Sequence, residues 1–175
     1  MPAKVIAREF TGDESTLRPR SARIARALVG LGITHVVGVP DNATRFVFEL
    51  LENESGVQVV PVCREGEAWA IASGLWVGGR HPVVIIQNTG FLESGDGLRG
   101  TAIEMGVPLL SIIDYRGYQT LGAEDPDSAA VFFEPTLRAW GVPYQFLEEG
   151  REAEILREAR ATAEALRRPV AVLMT

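Results

Sequence analysis

The stretch VVPVCREGEAWAIASGLWVGG, Val59–Gly79, changes hydrophobic period in its middle. Residues 57–62 are almost uniformly apolar, as expected of a strand buried on both faces. From Glu65 onward the pattern turns helical, with Glu65 and Glu67 in the first turn. Ala68, Ala70, Ala72, Ser73 and Gly74 keep much of this helix small, while Trp69, Ile71, Leu75 and Trp76 supply bulk. Small residues at helical spacing admit close approach by a neighbour, and two tryptophans seven apart predict one buried stripe. Acidic residues in a first turn also have a plain explanation, since they complement the positive end of the helix dipole. A buried strand running straight into a helix is the repeating unit of a parallel sheet.

The same unit recurs on both sides. Upstream, residues 15–31 carry Leu17, Ile24, Leu28 and Leu31 at helical spacing; Pro19 marks the expected first turn, and Gly30 and Gly32 the end. THVVGVP (34–40) reads as a buried strand stopped by Pro40, and DNATRFVFELLEN as a helix capped by Asp41 or Asn42. Downstream, Val83–Gln87 is a strand broken at Gly90, ESGDGLRGTAIEM a helix after a glycine-rich turn, and VPLLSIID (107–114) another apolar strand. Residues 115–128 form the longest irregular stretch, of a length that often marks a functional loop. A helix AAVFFEPTLRAW, a strand VPYQFL, a long helix with Ile155, Leu156, Ala159, Ala163 and Leu166 on one face, and a strand at 169–174 complete the pattern. Six strands alternating with about six helices predict an α/β fold, a three-layer α/β/α arrangement around a mostly parallel six-stranded sheet. Residues 1–175 read as a single domain, with 1–14 expected to be loose.

Composition narrows the function. The 175 residues are 46% hydrophobic and 23% charged, with a net charge of −6. No basic stripe is present, which argues against a nucleic-acid partner. No apolar run is long enough to span a bilayer. The single cysteine, Cys63, excludes an internal disulfide and fits a cytoplasmic protein; at a strand end it reads as a buried structural thiol. Only His35 and His81 are available as imidazoles, far apart in sequence, so a histidine metal site or a Ser-His-Asp triad is poorly supplied.

Ligands of open parallel sheets bind beyond the carboxyl ends of the strands. The residues that leave those ends are Pro40-Asp41, Cys63-Arg64-Glu65-Gly66, Gln87-Asn88-Thr89-Gly90 and Asp114-Tyr115-Arg116-Gly117. Neither GxGxxG after the first strand nor GxxxxGK[ST] occurs, which weighs against ordinary dinucleotide or nucleotide triphosphate binding. Four segments together resemble the pyrimidine-binding (Pyr) domain of thiamine diphosphate enzymes: GVPD at 38–41, REGEAWAIASG at 64–74, PVVIIQNTG at 82–90 and PLLSIIDYRG at 108–117. Within that superfamily the likeness is greatest to the phosphonopyruvate and sulfopyruvate decarboxylases, and it covers roughly residues 20–175.

The resemblance implies a thiamine diphosphate-binding fold, with Glu65 as the glutamate that hydrogen-bonds N1′ of the aminopyrimidine and so activates the cofactor. A carboxyl group is suited to that role because a sheltered one can share a proton with a ring nitrogen. It further implies cofactor-binding positions at Pro40, Gln87, Asn88 and Thr89, and a substrate side at Asp41, Asn88 and Arg116. Each of those three has an ordinary structural alternative: an N-cap for Asp41, a turn residue for Asn88, a surface ion pair for Arg116. Glu67, two positions on, reads as a capping or surface residue. The implied reaction is decarboxylation of a 2-oxo acid.

Two departures stand out. The loop after Arg116-Gly117 carries Glu124, Asp125 and Asp127 and no histidine, which is unfavourable for a phosphonate or sulfonate substrate. Gly95-Asp96-Gly97 mimics the magnesium and diphosphate motif of the superfamily's other domain, but no asparagine follows it, so it reads as a turn into a helix. The resemblance therefore implies the α-type subunit of a split enzyme, its Mg2+ and diphosphate sites on a β-type partner, in an α2β2 or larger assembly. The alternatives are a non-catalytic scaffold subunit of the same fold and a flavodoxin-like small-molecule binder.

Overall fold

The computed structural model of the protein describes residues 14–175. The expectation for residues 1–14 thus lies outside the described residues, except for Glu14, which opens the first helix. In chain order the elements are α1 (Glu14–Gly30), β1 (His35–Gly38), α2 (Arg45–Glu52), β2 (Gln58–Pro61), α3 (Glu65–Val77), β3 (Pro82–Gln87) and α4 (Asn88–Glu93). A π-helical turn (Gly97–Ile103), β4 (Leu110–Asp114), a 3-10 turn (Tyr118–Thr120), α5 (Ser128–Ala139), β5 (Tyr144–Phe146), α6 (Glu152–Leu166) and β6 (Val170–Met174) follow.

All six strands are parallel, in the order β2-β1-β3-β4-β6-β5. The four inner strands are buried on both faces, which is why they read as unbroken apolar runs. The edge strands β2 and β5 are only half-buried. One face of the sheet is covered by α1, α2 and α6, through Leu28, Phe48, Leu51 and Leu156. The other is covered by α3, α4, the π turn and α5, through Trp69, Phe91, Leu98 and Phe133. The result is the three-layer α/β/α fold. No helix among the described residues is long and apolar enough to cross a membrane.

Several local details depart from the sequence reading. Pro19 lies inside α1 rather than in its first turn; the extra turn before it is held by an Arg18–Glu14 pair at i,i+4. The strand before Gly90 does not break into a turn but enters α4 directly at Asn88. Trp69 is fully buried whereas Trp76 is only half-buried, beneath the Arg167 guanidinium at 5.2 Å, so the tryptophan stripe is buried at one end. Leu166 is exposed, since α6 extends beyond the sheet it covers. Cys63 is also exposed, because the chain leaves the core at Pro61 before turning into α3; it is not a buried structural thiol.

The connections set where a ligand can lie. From β1 the chain passes through α2 to β2 on one side, and from β3 it passes through α4 to β4 on the other. Neighbouring strands β1 and β3 thus diverge at their carboxyl ends, and the crevice between such diverging strands is the expected ligand position of an open α/β sheet. Pro40 and Asp41 leave one side of it, Gln87, Asn88 and Thr89 the other. His35 and His81 lie at the opposite end of the sheet, linked through Thr34.

Candidate functional site

Arg64 is extended (φ −144°, ψ 141°) and hands the chain to α3 at Glu65. Glu67 reaches back to accept a hydrogen bond from the Cys63 backbone N–H at 3.3 Å, the capping role expected of it. Glu65 itself is half-buried, and its side chain lies over α4. A Cβ placed on Gly90 would come within 2.2 Å of Cγ, Cδ and Oε1 of Glu65, so the carboxyl group rests on the bare Cα of that glycine. Among the described residues nothing hydrogen-bonds this carboxylate. The strand-to-helix turn after β2 and the turn after β3 therefore meet at one carboxyl group.

The Gly90 seat gives a sharp expectation. Alanine favours a helix by about 0.5–1 kcal/mol over glycine, and the flexible end of Glu65 can swing aside, so Gly90→Ala should fold with a melting temperature close to wild type. The same change should displace the Glu65 carboxyl group and move the 13C resonance of its carboxyl carbon. A large drop in melting temperature would instead mean that the new methyl pushes α4 off the sheet.

Beside this seat, Gln87 and Asp114 are register partners at the ends of β3 and β4. Gln87 Nε2 donates to Asp114 Oδ2 at 3.3 Å, and Thr89 Oγ1 donates to Gln87 Oε1 at 2.8 Å. Asn88 is fully buried; its Nδ2 donates to the Arg116 carbonyl at 2.9 Å, and its Oδ1 has no partner among the described residues. Asp41 takes hydrogen bonds from Ala43 N, Thr44 N and Thr44 Oγ1 on its Oδ1, capping the approach to α2, while its Oδ2 is buried and has no partner among the described residues. Burial raises the Asp41 carboxyl, against those hydrogen bonds. Burial, reinforced by the charge of Asp41 and opposed by the Gln87 hydrogen bond, pushes Asp114 up to about 7. Two carboxyl groups that resist ionising together thus stand beside the β1–β3 crevice.

Of the predicted site residues, Glu65, Asn88 and Thr89 gather at the junction of α3 and α4, with Gln87 tied to them through Thr89. Pro40 and Asp41 lead into α2 on the other face of the sheet. Arg116 is joined to Asn88 only through its backbone; its exposed guanidinium pairs with Asp127 at 3.3 Å. Asp127 also caps α5 and lies against Gly117, whose positive φ of 81° leaves no room for a Cβ. The long loop is pinned by Thr120, which takes the Asp127 N–H at 2.8 Å and donates to the Gly117 carbonyl at 2.7 Å. A groove of about 360 Å3 between α1 and α6, lined by Arg23, Arg26, Glu152 and Arg157, contains none of the predicted residues.

Sequence reasoning gave no role to two groups. Arg20 of α1 donates to the carbonyls of Thr175 and Leu147, tying the first helix to the ends of β6 and β5. Glu93 at the end of α4 grips the start of α3. Neither lies in a motif, and contacts between residues far apart in the chain leave no local signature.

Comparison with known proteins follows the same residues. The family described as thiamine pyrophosphate enzyme, N-terminal TPP binding domain, matches residues 20–131. Sulfopyruvate decarboxylase subunit alpha of Methanococcus maripaludis is 26% identical over 157 residues, covering 88% of this chain and 93% of that protein. Phosphonopyruvate decarboxylase of Streptomyces viridochromogenes is 31% identical over 97 residues, 55% of this chain but only 24% of that longer protein. The crystal structure of benzoylformate decarboxylase from Polynucleobacter necessarius aligns over 89% of this chain and 29% of its own, with a TM-score of 0.70 at 22% identity, a likeness of fold.

Proposed function

The chain belongs to the family of N-terminal TPP-binding domains of thiamine pyrophosphate enzymes, and from that premise we propose that it is the α-type subunit of a thiamine diphosphate-dependent 2-oxo acid decarboxylase of the sulfopyruvate or phosphonopyruvate kind. The observation that carries the proposal is the Glu65 carboxyl group, seated on Gly90 at the start of α3 and without a hydrogen bond among the described residues. A carboxyl group in that position fits an aminopyrimidine nitrogen, to which it can hold or return a proton. When bound, thiamine diphosphate supplies the electron sink that lets carbon dioxide leave a 2-oxo acid.

In this proposal Glu65 orients the cofactor and moves its proton, while Pro40, Gln87, Asn88 and Thr89 line the crevice that receives the ring. The unpartnered Asn88 Oδ1 offers a further acceptor. Asp41, Asn88 and Arg116 face the substrate side, with Arg116 held in place by Asp127. The whole of residues 1–175 is assigned to one Pyr-type domain. Mg2+ and the diphosphate belong mainly to a β-type partner, in an α2β2 or larger cytoplasmic complex; the alpha-subunit relatives support that pairing.

The test is to purify the tagged chain from its host with Mg2+ and thiamine diphosphate present, and to assay the recovered complex on 2-oxo acids including sulfopyruvate and phosphonopyruvate. The expected result is a second chain, bound cofactor and release of carbon dioxide. A complex that binds no thiamine diphosphate at saturation would favour the scaffold reading and overturn this one.

A further inference from the structure

We propose that Glu93, together with Gly97, forms a clamp that positions Glu65. This inference rests on the decarboxylase reading for its catalytic meaning, but its geometry stands apart from it. Glu65 is flanked by two residues that Glu93 holds. The Arg64 guanidinium donates to Glu93 Oε1 through Nε at 3.0 Å and also through Nη2, and the Gly66 backbone N–H points to Glu93 Oε2 at 3.3 Å. One carboxylate thus binds the residue before Glu65 through one oxygen and the residue after it through the other. The Arg64 pair is exposed and contributes little stability by itself, but it fixes the side of Glu93 on which the chain enters α3, and the Gly66 bond satisfies an amide at the start of α3 that the helix itself leaves open.

The other side of the clamp is backbone. A Cβ on Gly97 would lie 2.3 Å from the Gly66 carbonyl oxygen and 3.0 Å from its carbonyl carbon, so the start of the π turn presses directly on the residue that follows Glu65. This contact explains the glycine at the end of Gly95-Asp96-Gly97. Its Asp96 is fully exposed and bonded to Arg99, and the glycine provides close approach. The first turn of α3 is therefore wedged between α4, which supplies Gly90 and Glu93, and the π turn, which supplies Gly97. Three contacts from two elements converge on residues 64–66, and the carboxyl group they orient has no hydrogen bond of its own among the described residues.

Glu93 touches neither cofactor nor substrate in this scheme; it acts through the backbone around Glu65. The experiment compares Glu93→Ala, Glu93→Gln and Gly97→Ala with wild type, first in the chain itself. The readouts are hydrogen exchange at the Gly66 amide and the 13C shift of the Glu65 carboxyl carbon, assigned with Glu65→Gln. Glu93→Ala should speed Gly66 exchange and move the Glu65 resonance, whereas Glu93→Gln, whose amide offers one acceptor oxygen and an NH2 that can only donate, keeps one of the two bonds and should restore them only in part. Gly97→Ala should move the Glu65 resonance with Glu93 intact. In the assembled enzyme, Glu93→Ala should lower kcat by about ten- to a hundredfold, the scale of a small misplacement of a reacting group, and Glu93→Gln, which keeps one of the two bonds, should fall between it and wild type.

An unmoved Glu65 resonance and unchanged Gly66 exchange in Glu93→Ala would overturn the clamp, whatever the activity. A normal kcat in Glu93→Ala, beside an active wild-type complex, would overturn its catalytic part. A wild-type complex inactive on every 2-oxo acid would overturn the decarboxylase reading, and the catalytic part with it, while the chain's own spectra still judge the geometry.

Discussion

Turnover in the assembled enzyme should fall by about a hundredfold to ten-thousandfold when Glu65 is replaced by Gln, the range expected when a positioned proton-transfer group is removed. The substitution is isosteric, so the amide can rest on Gly90 as the carboxyl group does, and folding and partner binding should be unchanged. Only the ability to exchange a proton at that position is lost. Measuring kcat alongside sedimentation of the complex separates the two effects. Full activity in a correctly assembled Glu65→Gln enzyme would remove Glu65 from the mechanism.

The largest effect on the chain's own stability is expected at Phe133. This residue is fully buried on α5, and its ring meets Phe91 edge-on at 5.2 Å and Tyr115 nearly perpendicular at 4.8 Å. It joins α4, which carries the Gly90 seat, to the residue that follows β4. Phe133→Ala leaves a cavity among rigid aromatic neighbours and should cost about 3–5 kcal/mol. Urea unfolding of the isolated chain measures it: the midpoint should fall with little change in slope. A loss below about 1 kcal/mol would show that α4 and α5 close over the gap.

The contrast between legible and illegible features follows the range of the forces involved. The buried strands announce themselves because Val83–Ile86 and Val170–Leu173 have core on both sides, and only apolar side chains satisfy that. Glu65 and Glu67 at the head of α3 are visible because capping and dipole effects act within one turn. The π form of residues 97–103 was not legible, nor was the close approach of Gly97 to Gly66 at its start, a contact between segments separated by a whole strand. The paired acids were equally hidden: Asp114 reads as a strand end, and its coupling to Asp41 exists only once β1 and β4 flank β3. Cys63 was misjudged because an apolar neighbourhood in sequence does not say which way the chain leaves the sheet. The ion pair of Arg116 is hidden for the same reason, since Asp127 reaches it only when the long loop folds back.

The sheet order also has a consequence for biosynthesis. β6 is the last strand in sequence but lies between β4 and β5, and Leu110 of β4 pairs with Val170. In a nascent chain that has emerged through α6, β4 can pair with β3 on one edge while its other edge stays open, and β5 has nothing to dock against. The two halves of the sheet are joined only when residues 170–174 clear the ribosome, so the distant pairing comes last and the exposed strand is sticky until then. Between the synthesis of β4 and that of β6, the open edge of β4 is the place where the growing polypeptide can pair with another chain.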